Sequence, residues 1–404
     1  MRSIAIIGAS LAGTRAAEAL RRDGYDGTIT IVGDEPHAPY DRPPLSKQVL
    51  AGDWEPARIA LSDEQDLNAL QADWCLGRRA VGLDVASRRV LLDDASHITA
   101  DGILIATGAR CLELPSVNAA GSPLVGIHTL RTLDDCLALR SDMEASPQRV
   151  AVVGAGFIGA EVAATARQRG LEVTLIEALP VPLGRVLGTE MGAVCAEVHR
   201  DHGVEVRLGV GVKGFDGHHR VEQVHLSDGT FVSADVVVVG IGVTPNTQWL
   251  QGSGLTLDNG VVCDATCLVA PGITAAGDVA RWPNNLFGET MRVEHWDNAI
   301  AQGTHAARRL LASDETAEPY MPVPWFWSDQ YDRKIQLAGR VQPNDEVRVI
   351  TGSVAERRFA ALYGRADRLV GVLGFNRPRH VMQYRNLIAK GIGFGEAISM
   401  AEAQ

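Results

Sequence analysis

Val150-Ala151-Val152-Val153-Gly154-Ala155-Gly156-Phe157-Ile158-Gly159 is the stretch that decides the fold. Four apolar residues read as a buried strand, three glycines follow at G-x-G-x-x-G spacing, and Ala160-Glu161-Val162-Ala163 opens a helix. In such a strand–turn–helix the first glycine permits the tight turn. The second lets the backbone approach a pyrophosphate, and the third lets helix pack on strand. The free amides and positive dipole end of the helix then face the phosphates. The next strand, Glu172 to Ile176, ends at Glu177, whose carboxylate accepts from ribose hydroxyls and repels a 2′-phosphate. No arginine follows it immediately, so the pattern predicts NADH over NADPH. Gly154, Gly156, Phe157, Ile158, Gly159, Glu161 and Glu177 are the candidate NAD-site residues, with Gly240 and Gly242 from a later strand end.

Outward toward the N-terminus, Ile4-Ala5-Ile6-Ile7-Gly8-Ala9-Ser10-Leu11-Ala12-Gly13 repeats the pattern with Ser10 in place of the middle glycine. A helix is expected to open near Gly13. Gly8, Ser10, Leu11, Ala12 and Gly13 form a second candidate phosphate loop. A strand from Thr28 to Val32 leads to Asp34 and Glu35, acids placed for ribose hydroxyls. Three further apolar strands end in small-residue turns: Gly102 to Ala106-Thr107-Gly108, Val236 to Gly240-Ile241-Gly242, and Ile273 to Gly277-Asp278. An aspartate at the last position can bond a ribityl chain, or a phosphate through water.

Composition narrows the class. The net charge of −11 argues against a nucleic-acid binder, and no apolar run reaches the roughly 18 residues a membrane helix needs. Met1-Arg2-Ser3 leads straight into a strand, which leaves no room for a signal peptide, so a cytoplasmic location is expected. The six cysteines (Cys75, Cys111, Cys136, Cys195, Cys263 and Cys267) form no C-x-x-C pair and lack metal-ligand spacing, so no metal site is expected. Cys263 and Cys267, four residues apart, read as buried small hydrophobes, with a redox pair as the alternative.

Together these motifs resemble the two-dinucleotide flavoproteins of the glutathione-reductase-like type, over nearly the whole chain. The fold class implied is α/β, with two Rossmann-like dinucleotide-binding domains and a small α+β C-terminal domain. The resemblance implies an FAD-binding domain at 1–108 and 240–318, an inserted NAD-binding domain at 109–239, and a C-terminal reductase domain at 319–404. Tyr40-Asp41-Arg42-Pro43-Pro44-Leu45-Ser46-Lys47 marks the branch. It looks like the oxygenase-coupled, NADH-dependent ferredoxin reductases (the putidaredoxin reductase and biphenyl dioxygenase ferredoxin reductase type), and also like apoptosis-inducing factor. In that group the lysine contacts the flavin and pairs with a glutamate on the NAD helix, which implies catalytic roles for Lys47 and Glu161. Asp34, Glu35, Arg42, Lys47, Ala80, Ala106, Thr107, Gly108, Arg131, Gly277 and Asp278 fall on FAD-contacting positions. Glu294, His295 and Trp296 resemble the segment beside the pyrimidine end of the flavin, and Trp327 the tryptophan near flavin and nicotinamide. His295 is read as a structural contact, since hydride transfer needs no acid or base there. Pro43 to Ser46 holds no cysteine, which excludes disulfide-reductase chemistry.

The resemblance implies the cofactors FAD and NADH, and hydride transfer from nicotinamide C4 to flavin N5. Single electrons then pass to a [2Fe–2S] ferredoxin serving a cytochrome P450 or Rieske oxygenase. A rubredoxin acceptor and a redox-sensor role like that of apoptosis-inducing factor stay open. A monomer or weak dimer is expected. An acidic ferredoxin needs a local basic face on this acidic chain, and Arg308, Arg309, Arg333, Lys334, Arg377 and Arg379 are the candidates. In the C-terminal part, strand-like runs at 334–338, 346–350, 359–363 and 369–375 precede a helix predicted from Pro378 to Lys390.

Overall fold

The computed structural model describes residues 1–403 and divides into two compact units. The first comprises Met1–Asp41, Ile59–Arg110 and Thr244–Trp325, the second Arg42–Arg58, Cys111–Val243 and Phe326–Gln404. The fold is α/β, as the paired strand–glycine–helix motifs imply.

The first unit is built on a six-stranded sheet in the order Leu268–Ala270, Ile273–Ala275, Gly102–Ile105, Ser3–Ile7, Thr28–Gly33, Ala72–Leu76. All neighbours are parallel except the edge pair at Leu268–Ala270. Its inner strands read as unbroken apolar runs because both faces are covered. Ile4, Ile6, Ile29, Ile31, Ile103 and Ile105 are all buried, each burial stabilising by about 1.5–3 kcal/mol. The Leu11–Arg22 helix starts two residues before the predicted Gly13, with Ser10 as its N-cap. The Trp296–Leu311 helix lies against it where a Cβ on Gly303 would stand 2.4 Å from the Ala12 carbonyl oxygen. Only a residue without a side chain permits that approach.

The second unit holds a parallel five-stranded sheet in the order Glu205–Leu208, Glu172–Glu177, Arg149–Val153, Val236–Val239, Ile127–His128. It also holds an antiparallel five-stranded sheet in the order Trp325–Gln330, Arg333–Gly339, Arg368–Phe375, Arg358–Arg365, Glu346–Ser353. One face of the antiparallel sheet, with Ile335, Leu337, Phe359, Leu373 and Phe375, buries Leu187, Met191 and Val198 of the Gly184–Asp201 helix. That helix breaks at Gly188, whose φ of 77° leaves the Leu187 carbonyl outside the ladder, and the Tyr363 hydroxyl donates to it at 2.9 Å. The predicted C-terminal helix spans Pro378–Ala389. A further helix, Phe394–Glu402, was not expected, because Gly391, Gly393 and Gly395 mask its start. Among the described residues no helix is long and apolar enough to cross a membrane, and no His/Cys/Asp/Glu group would hold a metal ion.

Candidate functional site

Two cradles share one construction. In the second unit Gly154 (φ 98°) would place a Cβ 2.3 Å from the Gly240 carbonyl oxygen, and Gly159 would place one 2.0 Å from that of Gly154. Both positions are therefore closed to any side chain. Gly156 differs: a Cβ there meets nothing within 4 Å. It is also the N-cap of the Phe157–Gln168 helix, and no side chain caps the first-turn amides. Open space before uncapped amides is what a pyrophosphate requires, so these residues fit a dinucleotide. Glu177 ends the neighbouring strand and accepts from Ala155 N at 2.8 Å and Leu179 N at 2.8 Å. Its carboxylate is thereby fixed beside the glycine loop. Ile158 and Ile241 stand exposed near the same strand ends as Gly240 and Gly242, and Phe157 is half-buried.

The first unit repeats this. Gly8 (φ 128°) would place a Cβ 2.0 Å from the Ala106 carbonyl oxygen, and Gly13 would place one 1.8 Å from that of Gly8. Ser10 caps the helix by backbone position only, so the amides of Leu11, Ala12 and Gly13 again have no side-chain cap. These residues fit the pyrophosphate of FAD. Asp34 is exposed just beyond the Thr28–Gly33 strand, and Glu35 accepts from the Tyr40 hydroxyl. Ala80 is buried. Thr107 Oγ1 donates to the Asn246 carbonyl at 2.9 Å and Asn246 Nδ2 donates back to the Thr107 carbonyl at 2.9 Å. Asn246 N donates to the Gly108 carbonyl at 2.9 Å, which completes the lock on this turn. Gly277 and Asp278 lie in a short 3-10 turn, and buried Gln302 accepts from Gly277 N at 2.9 Å. Glu294 pairs with Arg292 at 2.6 Å, His295 caps the Trp296–Leu311 helix, and Trp296 Nε1 donates to Asp41 at 2.7 Å.

In the second unit Pro43–Ser46 forms a 3-10 turn and Gln48–Ala51 a short helix, with Lys47 between them. Lys47 Nζ stands 3.0 Å from Glu161 Oε2, and both side chains are largely buried. Arg42 donates to the Arg131 carbonyl at 2.6 Å. Arg131 N and Thr132 N both donate to Asp135, which belongs to a capping box on the Leu133–Glu144 helix. Trp327 is half-buried on the Trp325–Gln330 strand. Among the described residues the one thiol bonded to the Lys47 turn is Cys136, which donates to the Leu45 carbonyl at 3.1 Å, and burial pushes it up to about 12. Cys263 is pushed up to about 12 and Cys267 well above the ordinary value by the same cause. None of these thiols carries thiolate character near neutral pH.

One of the docking candidates, Arg309, needs correction. Arg309 is 7% exposed and bonds Thr266 and Asp314, so it belongs to the interior. Arg308 is paired with Asp23 at 2.7 Å, Arg333 with Asp332 at 2.5 Å and Lys334 with Asp329 at 2.7 Å. Arg379 stays exposed.

The pyridine nucleotide-disulphide oxidoreductase model matches residues 2–303, and the reductase C-terminal model matches 325–403. The chain belongs to the pyridine nucleotide-disulphide oxidoreductase family. Rhodocoxin reductase of Rhodococcus erythropolis is 41% identical over 96% of this chain and 89% of its own length. The ferredoxin–NAD(+) reductase subunit of the benzene 1,2-dioxygenase system of Pseudomonas putida is 40% identical over 91% of this chain and 88% of its own length. Among solved structures, the covalent putidaredoxin reductase–putidaredoxin complex superposes with a TM-score of 0.92 at 32% identity, covering 100% of this chain and 99% of that one. FAD and NADH are the cofactors of this family, and the chain is an oxidoreductase of the ferredoxin–NAD(+) reductase kind.

Four residues that shape these sites have no role assigned by the sequence reading: Ser46, Ser328, Asn246 and Gln302. Each acts through a contact at least 25 residues away in sequence. Gly303 did leave a trace, as a glycine inside a helix has a packing reason.

Proposed function

We propose that this chain takes electrons from NADH and passes them singly to a [2Fe–2S] ferredoxin that serves an oxygenase. The observation that carries this reading is the Lys47 turn. Where a disulfide reductase would carry reactive thiols, this turn offers a cation on a buried glutamate and one inert thiol. Electrons therefore leave without a thiol relay, toward an external acceptor. The names of the relatives point to a ferredoxin as that acceptor.

Bound FAD supplies both the hydride acceptor and the one-electron donor. The protein supplies position and charge. The uncapped amides after Gly156 hold the NADH pyrophosphate, and Glu177 takes the ribose hydroxyls and repels a 2′-phosphate. The amides after Ser10 hold the FAD pyrophosphate, with Asp34, Glu35, Ala80, Ala106, Thr107, Gly108, Gly277 and Asp278 as further FAD contacts. Arg42, Arg131, Glu294, His295, Trp296 and Trp327 take the FAD roles that the family resemblance gives them. Lys47, held by Glu161, places a cation where negative charge develops on reduction. The domain limits assigned from the sequence, a cytoplasmic location and a monomer or weak dimer complete the proposal.

For the ferredoxin face, residues 326 to 404 carry twelve Lys and Arg against eight Asp and Glu, in a chain of net charge −11. Arg379 and Lys390 are exposed on and just after the Pro378–Ala389 helix, which contains no acidic residue. An acidic partner is steered to such a segment. Anaerobic mixing tests the scheme: NADH bleaches the flavin, and oxidised [2Fe–2S] ferredoxin then restores its colour. Bleaching that persists after ferredoxin is added contradicts it.

A further inference from the structure

Glu161 is 3% exposed and receives four donors. Its Oε2 accepts from Lys47 Nζ at 3.0 Å and from Ser46 Oγ at 2.5 Å. Its Oε1 accepts from Ser328 Oγ at 2.8 Å and from Asp329 N at 3.2 Å. A carboxylate offers about four lone-pair sites, so all of them are taken. The two oxygens are divided by origin: one serves the Lys47 turn, the other the strand Trp325–Gln330.

The supports on each side are specific. Thr165, one helical turn after Glu161, donates to the Ser46 carbonyl at 2.8 Å and fixes the backbone just before Lys47. On the strand, alternation buries Phe326, Ser328 and Gln330 and turns Trp327 and Asp329 the other way. The Phe326 ring lies 4.2 Å from that of Phe157, one turn before Glu161, so the strand is seated on the same helix face. Gln330 Nε2 donates to Ser328 Oγ at 3.1 Å. That contact fills an acceptor site of the hydroxyl and directs its proton at Glu161. Ser328 and Gln330 are both fully buried, so no water replaces the hydroxyl when it is removed.

We infer that Ser328 is a positioning residue: it holds one oxygen of Glu161 so that the other fixes Lys47, and it thereby sets the charge that Lys47 presents to the flavin. The inference rests on the proposed role of Lys47. Without the Ser328 hydroxyl, Glu161 Oε1 keeps only the longer bond from Asp329 N, the carboxylate gains rotational freedom, and the ammonium is spread over a larger volume. The flavin then feels less positive charge and becomes harder to reduce, in the same sense as after Lys47→Ala but by less.

The test is a double-mutant cycle read by the midpoint potential of the bound flavin, measured by spectroelectrochemistry without NADH or ferredoxin. The proteins are FAD-loaded wild type, Ser328→Ala, Lys47→Ala and the double variant. Expected are a downward shift for Ser328→Ala in the wild-type background, a larger one for Lys47→Ala, and no further shift for Ser328→Ala when Lys47 is already gone. Flavin reduction by NADH should slow about five- to tenfold in Ser328→Ala, the scale of one ordinary hydrogen bond. If Ser328→Ala does not hold FAD, Ser328→Cys keeps the size and weakens the donor, and a smaller shift of the same sign is expected. An equal shift in both backgrounds, or none in the wild-type background, overturns the inference while leaving the Lys47 reading intact. A Lys47→Ala variant with an unmoved potential overturns the Lys47 reading and the inference with it.

Discussion

Alanine at Gly156 and at Gly159 should have opposite effects, although the two glycines are three residues apart in one motif. A Cβ on Gly159 would sit 2.0 Å from the Gly154 carbonyl oxygen and 3.4 Å from Val152 Cγ1, where real contacts do not fall below 3.0 Å. Backbone blocks it, so the helix must retreat from the strand by roughly 1 Å, an overpacking cost of about 1–3 kcal/mol or more. A Cβ on Gly156 meets nothing within 4 Å, and its φ of −72° suits alanine. Folding should cost under about 1 kcal/mol there, the difference between N-cap glycine and alanine. The methyl instead fills the space in front of the uncapped amides. We expect Gly156→Ala to weaken NAD+ binding at least tenfold, about 1.4 kcal/mol, with Tm lowered by less than about 2 °C. Gly159→Ala should lower Tm by several degrees. Calorimetric titration with NAD+ and thermal unfolding read the two quantities separately. Unchanged NAD+ affinity in a folded Gly156→Ala protein refutes the assignment of the pyrophosphate to that turn.

Further expectations follow from the same geometry. Glu177→Ser combined with Ala178→Arg should raise the NADPH-to-NADH ratio of kcat/KM at least tenfold, about 1.4 kcal/mol, and an unmoved ratio sinks the role of Glu177. Lys47→Ala leaves Glu161 with Ser46, Ser328 and Asp329 as donors, so the protein should fold, while stopped-flow flavin reduction slows roughly 10- to 100-fold. Arg379→Glu with Lys390→Glu should raise the KM for ferredoxin and weaken its salt dependence while leaving ferricyanide reduction by NADH near wild type. A ferredoxin KM unchanged in this variant places the docking face elsewhere. His199 is fully buried, and burial lowers it from 6.5 to about 4. The folded state disfavours its charged form, so its contribution is present above pH 6.5 and is lost as the pH falls toward 4. Between pH 7 and pH 4.5 that loss is about 2–3 kcal/mol, and His199→Gln should show a correspondingly smaller drop in stability over the same range.

What the sequence made legible was short-range. Gly154, Gly156, Gly159 and Glu177 lie within one strand–helix–strand unit, where spacing alone dictates which atoms meet. The Gly8 loop was readable for the same reason, although the helix starts two residues ahead of Gly13, directly after Ser10. The surroundings of Glu161 were not readable. Ser46 reaches it across 115 residues and Ser328 across 167, and a buried serine looks like any other serine in the chain. Arg309 failed in the other direction. A paired Arg-Arg at a helix end reads as surface, but the 3.6-residue period turns one of the two inward, onto Thr266. The C-terminal strands were legible from their apolar runs, whereas the Phe394–Glu402 helix was hidden by glycines that serve its entry.

The proposed route carries electrons from NADH through this chain to a [2Fe–2S] ferredoxin. Steady-state cytochrome c reduction by the FAD-loaded protein and NADH tests it most directly, run with a [2Fe–2S] ferredoxin, with a rubredoxin, and with neither. Rapid, saturable reduction is expected with the ferredoxin, little with the rubredoxin, and only a slow background with cytochrome c alone. A rate that the ferredoxin does not raise above that background contradicts it.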